Sequence, residues 1–370
     1  MRNPPAAARL RQVLAALAIL ALGASPARAS GQEITRAVIP TPVGAANHGA
    51  AVAELPSGAL LVCWFSGQHE ADRSVRILCS RGANDGSSWS APWTAVAPGD
   101  QAYGAAAPDK SLGNVTLTVS PDGRVWMIHG VIQSSIWPIV GEICRTWVCG
   151  RIDARVSADE GRSWSHAHRL VDVDGALPRA ELMPVSGGWL APIYEESAQR
   201  SAIAEISFEG GTAAIEAVWR LDGWRLIQPA LVKQDDGRFR VYFRDQQRRG
   251  VHVASFDPAA GWSAVSLTNL PNPGSAVDAF HDNEGRDVVI YNPSSTSRDV
   301  LALARSTDGD HFTRGCDLSR PDREDGVAYP SVIRTRDGAW SVVYSTGAKH
   351  GIAFVRFTSA WLEDCFALKG

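Results

Sequence analysis

Ile227-Gln228-Pro229-Ala230-Leu231-Val232-Lys233 runs into the turn Gln234-Asp235-Asp236-Gly237, and the chain leaves it as Arg238-Phe239-Arg240-Val241-Tyr242-Phe243. An Asp-Gly pair between two such runs reads as a β-hairpin, because glycine takes the positive φ that the turn demands. Outward from here the same unit recurs. Turns at Gly58, Gly123, Gly188, Gly285 and Gly338 also open onto short apolar stretches, and successive glycines lie 65, 65, 49, 48 and 53 residues apart. A period near 50 built from Gly turns and strand-type runs is the mark of propeller blades. The fourth repeat continues with a strand at Gly250 to Phe256, a turn and Trp262; the sixth runs Tyr329 to Thr335, Trp340 to Tyr344 and Ile352 to Phe357. No stretch keeps a long 3.6-residue apolar period, so helix content should be low. The expected fold is all-β, a six-bladed β-propeller of four-stranded antiparallel blades forming one domain over residues 30–370.

Residues 1–29 read as a secretory signal peptide. Arg2, Arg9 and Arg11 precede an apolar run from Val13 to Ala24, and Ala27-Arg28-Ala29 supplies the small-x-small cleavage site. The run is too short for a spanning helix. Cleavage after Ala29 predicts a secreted or periplasmic protein. It removes four arginines and no acids, which leaves 32 basic against 39 acidic residues and moves the net charge from −3 to −7. A mildly acidic chain without a basic cluster is a poor partner for nucleic acid or for an anionic membrane. The six cysteines suit disulfides in an exported protein: Cys63 and Cys79 fall on successive strands, Cys144 and Cys149 bracket a short loop, and Cys316 and Cys365 would fasten the tail. None has Cys-x-x-Cys spacing or a histidine at metal-ligand spacing, so no metal site is expected. A monomer is expected.

In a hairpin, the start of the first strand and the end of the second share a rim, opposite the Gly turn. Nine or ten residues before each glycine therefore marks the entry of an innermost strand beside the central funnel. Those positions hold His48, Asn114, Arg179, Gln228, the Ser275 to Asp278 neighbourhood and Tyr329. Second-strand exits on the same rim bring His129, Tyr194-Glu195-Glu196, Arg244-Asp245, Asn292 and Ser345, and the loop after the first repeat adds Glu70, Asp72 and Arg73. Arginine, tyrosine and carboxylate thus converge on one face, a pattern suited to an anionic sugar. Trp137 and Trp147, in the insertion from Val131 to Gly150, are candidates for stacking on sugar.

Ser157-Ala158-Asp159-Glu160-Gly161-Arg162-Ser163-Trp164 fits Ser-x-Asp-x-Gly-x-x-Trp, and looser copies lie at Gly82 to Trp89 and Arg305 to Phe312. Such residues satisfy their own turn, so a structural role outweighs a catalytic one. With Trp64-Phe65-Ser66-Gly67-Gln68-His69-Glu70, Ile227-Gln228-Pro229, Leu270-Pro271-Asn272-Pro273 and Tyr329-Pro330-Ser331, these boxes make the chain resemble the sialidase (neuraminidase) superfamily, in its bacterial group with BNR/Asp-box repeats. The resemblance implies an exo-α-sialidase-like hydrolase that releases a terminal acidic sugar from glycoconjugates with retention and without a cofactor. In that superfamily three arginines clamp the substrate carboxylate, a tyrosine paired with a glutamate attacks, and an aspartate is the acid/base; sialidases are the tyrosine-nucleophile exception among glycosidases. Arg244 matches a clamp arginine and Tyr329 the nucleophile.

The chain also departs from that pattern. The Arg-Ile-Pro opening is missing and His48 takes its arginine's place; Gln228 or Pro229 falls near the expected glutamate, and Ser74 near the expected aspartate. Glu70 or Asp72 would then supply the acid, Arg179 a second clamp, and Glu195 or Glu196 the base, with Asp278 and Gln228 also at the substrate. Two other functions fit the same residues: a propeller that binds acidic glycans without turnover, or a lyase or hydrolase of another uronic-acid-type sugar with His48 as base.

Overall fold

The computed structural model of the protein describes residues 34–133, 136–137, 141–142, 144, 146–319 and 326–367. The segment read as a signal peptide lies outside them. Six antiparallel sheets follow one another along the chain, each with four strand positions. The first consists of Ala46–Glu54, Leu60–Gly67, Arg76–Gly82 and Trp93–Val96. In the third the innermost position is split into Ala176–Pro178 and Met183–Val185, both paired with Gly188–Glu195. In the fourth the outermost position is split the same way. Neighbouring blades touch around a ring through their innermost strands, except that Gly188–Glu195 of the third blade meets Leu226–Lys233 of the fourth, and the innermost strands of the sixth and first blades meet.

Ring closure uses a strand that the Gly-turn spacing did not reveal. Ile34–Ile39 pairs antiparallel with Gly351–Phe357, Ile34 opposite Phe357, as the outer strand of the sixth blade. The first and last strands among the described residues are thereby sewn into one sheet. The core is divided among the blade junctions: six apolar clusters join residues of adjacent blades. Trp340, fully buried, stacks on Phe357 at 5.8 Å between the fifth and sixth blades. Truncating it to alanine should cost ~3–5 kcal/mol through the cavity left behind.

The Asp-box turn behaves as scaffold. Ser157 Oγ donates to Asp159 Oδ1 at 2.7 Å and accepts the Gly161 amide at 2.8 Å, while Asp159 takes the Ser163 amide at 2.8 Å. Desolvation pushes the Asp159 carboxyl up, but the bonds from Ser163 and Ser157 outweigh it and hold the group at about 2. The cysteines pair as Cys63–Cys79, Cys144–Cys149 and Cys316–Cys365, and the last ties down the helix Ser359–Ala367. No helix among the described residues is long and apolar enough to cross a membrane.

Candidate functional site

One backbone device repeats at the funnel rim. In the first, second, fourth and sixth blades the innermost strand carries one extra residue against its partner, between His48 and Ala51, Leu112 and Val115, Ile227 and Ala230, and Ala328 and Ser331. Each is a bulge, which bends the strand and re-aims a side chain. In three of them a residue sits in the left-handed region: Gly49 at φ 63°, Gln228 at 55° and Tyr329 at 59°. Gly49 is required there, since a Cβ would lie 2.9 Å from the Phe65 ring. For Gln228 and Tyr329 the conformation costs ~1–2 kcal/mol each. Proline follows both, and its missing N–H suits an unpaired bulge position. The strain turns Gln228 and Tyr329 off the sheet and toward each other.

Around the Tyr329 hydroxyl the hydrogen bonds run in one direction. Arg244 Nη1 donates to it at 2.9 Å and Gln228 Nε2 at 3.3 Å. Arg244 Nη1 also donates to Gln228 Oε1 at 3.1 Å. Arginine has no acceptor, so this contact fixes which end of the Gln228 amide faces it and leaves the NH2 end to the tyrosines. Gln228 Nε2 reaches Tyr194 Oη at 3.4 Å, and Asn114 Nδ2 reaches it at 2.9 Å. The guanidinium groups of Arg179 and Arg298 stand 5.2 and 5.8 Å from the Tyr329 ring centroid. Burial raises the phenol, but Arg244, the Gln228 hydrogen bond and Arg298 together outweigh it and place Tyr329 below its ordinary pKa. Tyr194 also feels Arg244, but burial outweighs it and pushes the phenol well up.

His48 lies against Tyr329 with ring centroids 4.2 Å apart, and its Nδ1 meets Ser345 Oγ at 2.7 Å. Burial and then the charges of Lys349, Arg179, Arg298 and Arg244 push His48 well below its ordinary value, so it is neutral. Glu70 Oε1 lies 3.8 Å from His48 Nε2 and accepts from Lys349 Nζ at 2.8 Å. Asp72, two residues on, is turned to its own loop: it accepts the Ser74 amide at 2.8 Å, and bonds from Ser74 hold it below the usual range. Glu70 and not Asp72 is thus the carboxylate brought to Tyr329 and His48.

The remaining sequence candidates separate by depth. Arg179 is buried, donates through Nη2 to the Pro330 carbonyl and faces the underside of Tyr329. Asp278 is buried too and accepts the amides of Val332 and Ala279, each at 2.9 Å, which fastens the fifth blade to the sixth. Burial pushes its carboxyl up to about 6 against the pull of Arg179. Glu195 points away, its two oxygens taken by Arg200 and Arg220 at 2.7 Å each. Its neighbour Glu196 is the acid that feels Arg244, and burial raises it above the usual carboxylate range. Trp147 packs on Phe65 at 6.1 Å and against Gly113, whose added Cβ would meet the indole at 2.3 Å; the Trp137 side chain lies outside the described residues.

Arg298 and Lys349 were missed by the sequence reading. Both sit in loops beyond second-strand exits, Arg298 six residues after Asn292 and Lys349 four after Ser345, and an offset extended into those loops would have reached them. Among the described residues no group of three or more His, Cys, Asp or Glu side chains is placed to hold a metal ion. A cavity of about 350 Å³ opens at the Gly-turn end of the axis, beside Val52, Leu117, Ile333 and Glu181, and Tyr329 and its arginines do not line it.

These features define a six-bladed propeller whose funnel presents a tyrosine among arginines. The chain belongs to the BNR repeat-like domain family, whose model matches residues 58–342. No curated protein sequence matches it. Among solved structures it is similar to the NanB sialidase of Streptococcus pneumoniae, at 12% identity over 88% of this chain and 70% of that one, TM-score 0.64. It is similar to the intramolecular trans-sialidase of Ruminococcus gnavus, at 11% identity over 86% and 95%, TM-score 0.65. It also resembles the α-L-arabinanase of Penicillium chrysogenum, at 13% identity over 88% and 99%, TM-score 0.58. At such identities the likeness establishes the fold, and these neighbours are glycosidases that differ in their sugars.

Proposed function

We propose that the protein is a secreted or periplasmic exo-glycosidase of sialidase type, which releases a terminal α-linked acidic sugar with retention. The observation that carries this reading is the Tyr329 hydroxyl, which receives two donors and lies among cations that lower its pKa. That is an environment for a phenolate. Tyr329 gives its phenolic proton to Glu70 and attacks the anomeric carbon as the bond to the leaving group breaks; Glu70 passes that proton to the leaving oxygen, and water, losing its proton to Glu70, then displaces Tyr329. Arg244 and Arg298 hold the substrate carboxylate on either side of the nucleophile. A phenol suits this task, since a carboxylate nucleophile would be repelled by the substrate's own carboxylate. Gln228 cannot accept a proton as a glutamate would, and serves by donating to the phenolate oxygen.

Gln228 also supports a second reading, a propeller that binds acidic glycans without turning them over. A lyase with His48 as base has less support, because a histidine held neutral by burial and four cations is a weak proton acceptor. Incubation with sialyl-lactose and a panel of acidic oligosaccharides, followed by NMR of the products, separates these readings. Free sialic acid appearing first as the α-anomer, and lost in Tyr329→Phe, is the expected result. Binding without product would favour the second reading, and an unsaturated uronate the lyase.

A further inference from the structure

Three consecutive residues in the turn after Trp340–Thr346 have positive φ: Gly347 at 61°, Ala348 at 50° and Lys349 at 80°. Two of them carry a Cβ, and such conformations persist only where the surroundings over-determine them. The surroundings here are Asn47, fully buried and next in sequence to His48. Its backbone amide donates to the Lys349 carbonyl, its Nδ2 donates to the His350 carbonyl at 3.0 Å, and its Oδ1 is held by Trp64 Nε1 at 2.9 Å. The strand that carries His48 therefore grips the turn that carries Lys349. What the strain achieves is the placement of one ammonium group at the funnel mouth, 2.8 Å from Glu70 Oε1.

The groups facing that ammonium are few. Glu70 is its partner, and His48, neutral, stands 3.8 Å behind Glu70; Arg298 and Arg244 lie across the funnel around Tyr329. Lys349 is the foremost of the four cations acting on His48, and its side chain is 37% exposed, so a ligand can reach it. Glu70 is shared with no other cation within ion-pair distance among the described residues, so an anion entering between Lys349 and Arg298 meets three positive groups with one carboxylate set against them.

We infer that Lys349 is a specificity-determining residue of the funnel, the third cation for a substrate carboxylate, doing from the sixth blade what neutral His48 cannot do from the first. The inference rests on the acidic-sugar reading of the site. When the ammonium turns to the ligand carboxylate it releases Glu70 Oε1, which becomes free to take the Tyr329 proton and pass it to the leaving oxygen. Selection is for the carboxylate itself, and an acidic sugar is preferred over its methyl ester through Lys349.

The test is calorimetric titration of the full protein with 2-deoxy-2,3-didehydro-N-acetylneuraminic acid and with its methyl ester, for wild type, Lys349→Met, Lys349→Arg and Arg244→Ala, each checked for an unchanged unfolding temperature. The loss of one charge-assisted contact corresponds to about ten- to hundredfold in Kd. Lys349→Met should weaken the acid by that factor and leave the ester unchanged, and Lys349→Arg should restore most of the acid affinity. Equal loss for acid and ester, or no loss for either, overturns the role of Lys349. If Arg244→Ala then still discriminates against the acid, only Lys349 has been misassigned. A wild type that binds neither ligand, or an Arg244→Ala variant that binds both as wild type does, contradicts the acidic-sugar reading and this inference with it.

Discussion

The two rims of the propeller carry similar residues and use them in opposite ways. On the Gly-turn rim four arginines close on nearby acids: Arg336 on Glu54 at 3.0 Å, Arg238 on Asp236 at 2.6 Å, Arg286 on Asp282 at 2.6 Å, and Arg81 on Glu160 at 2.9 Å. On the funnel rim Arg244 is held by Gln228 and Tyr329, Arg179 by the Pro330 carbonyl and Arg298 by the Gly274 carbonyl at 2.8 Å. None of these three forms an ion pair among the described residues. Neutral acceptors orient a guanidinium without cancelling its charge, so the funnel keeps a positive field for an arriving anion. Arginine content does not separate scaffold from site here; the partner does.

That contrast is most exposed to a paired substitution. Tyr329→Phe should lower kcat/KM on an α-sialoside by at least about three orders of magnitude and Arg244→Ala by about two, measured beside an unchanged unfolding temperature. If Arg336→Ala on the opposite rim lowered turnover as much, the distinction between rims would fail. Next in size is the pair Glu195 and Glu196. Glu195→Gln leaves Arg200 and Arg220 without their shared acid and should cost ~2 kcal/mol in denaturant unfolding, discounted for two part-exposed arginines. Glu196→Gln should leave stability alone and shift the pH profile of activity, because its charge acts on Arg244.

A smaller effect comes from the second blade, where Asp109 is buried beside Asp153. Burial and then Asp153 push its carboxyl up to about 8. The folded protein therefore holds this proton more tightly than the unfolded chain does. Stability from protonated Asp109 is whole below about pH 4 and is lost as the pH rises through about 8. Asp109→Asn cannot ionise, so it should match wild type at pH 4 and unfold several degrees higher than wild type at pH 9. Least of all, Arg336→Ala should cost under ~1 kcal/mol, as exposed pairs do.

The architecture was legible because its signal is local and repeated: Asp236-Gly237 and its five counterparts need only a turn and two strands to be read. The closing strand Ile34–Ile39 was not, since its partner lies more than 300 residues away and no turn announces it. At the site, counting back from each glycine reached His48, Gln228 and Tyr329 because bulged innermost strands share one register, and it reached Arg179 at the break in the third blade's innermost strand. The count could not tell Glu195 from Glu196, adjacent residues that a strand end sends to opposite sides. It also stopped short of Arg298 and Lys349, which loops carry to the funnel by backbone conformations that composition does not encode. The Gln228-Pro229 and Tyr329-Pro330 dipeptides did encode the bulges, and were read only as motifs.

The most direct test of the central claim is a crystal structure of the protein soaked with 2-deoxy-2,3-didehydro-N-acetylneuraminic acid. The carboxylate is expected within hydrogen-bond distance of Arg244 and Arg298, with Tyr329 Oη facing the anomeric carbon from below the ring. A sugar bound with its carboxylate turned away from both arginines, or seated on the opposite rim, would contradict it.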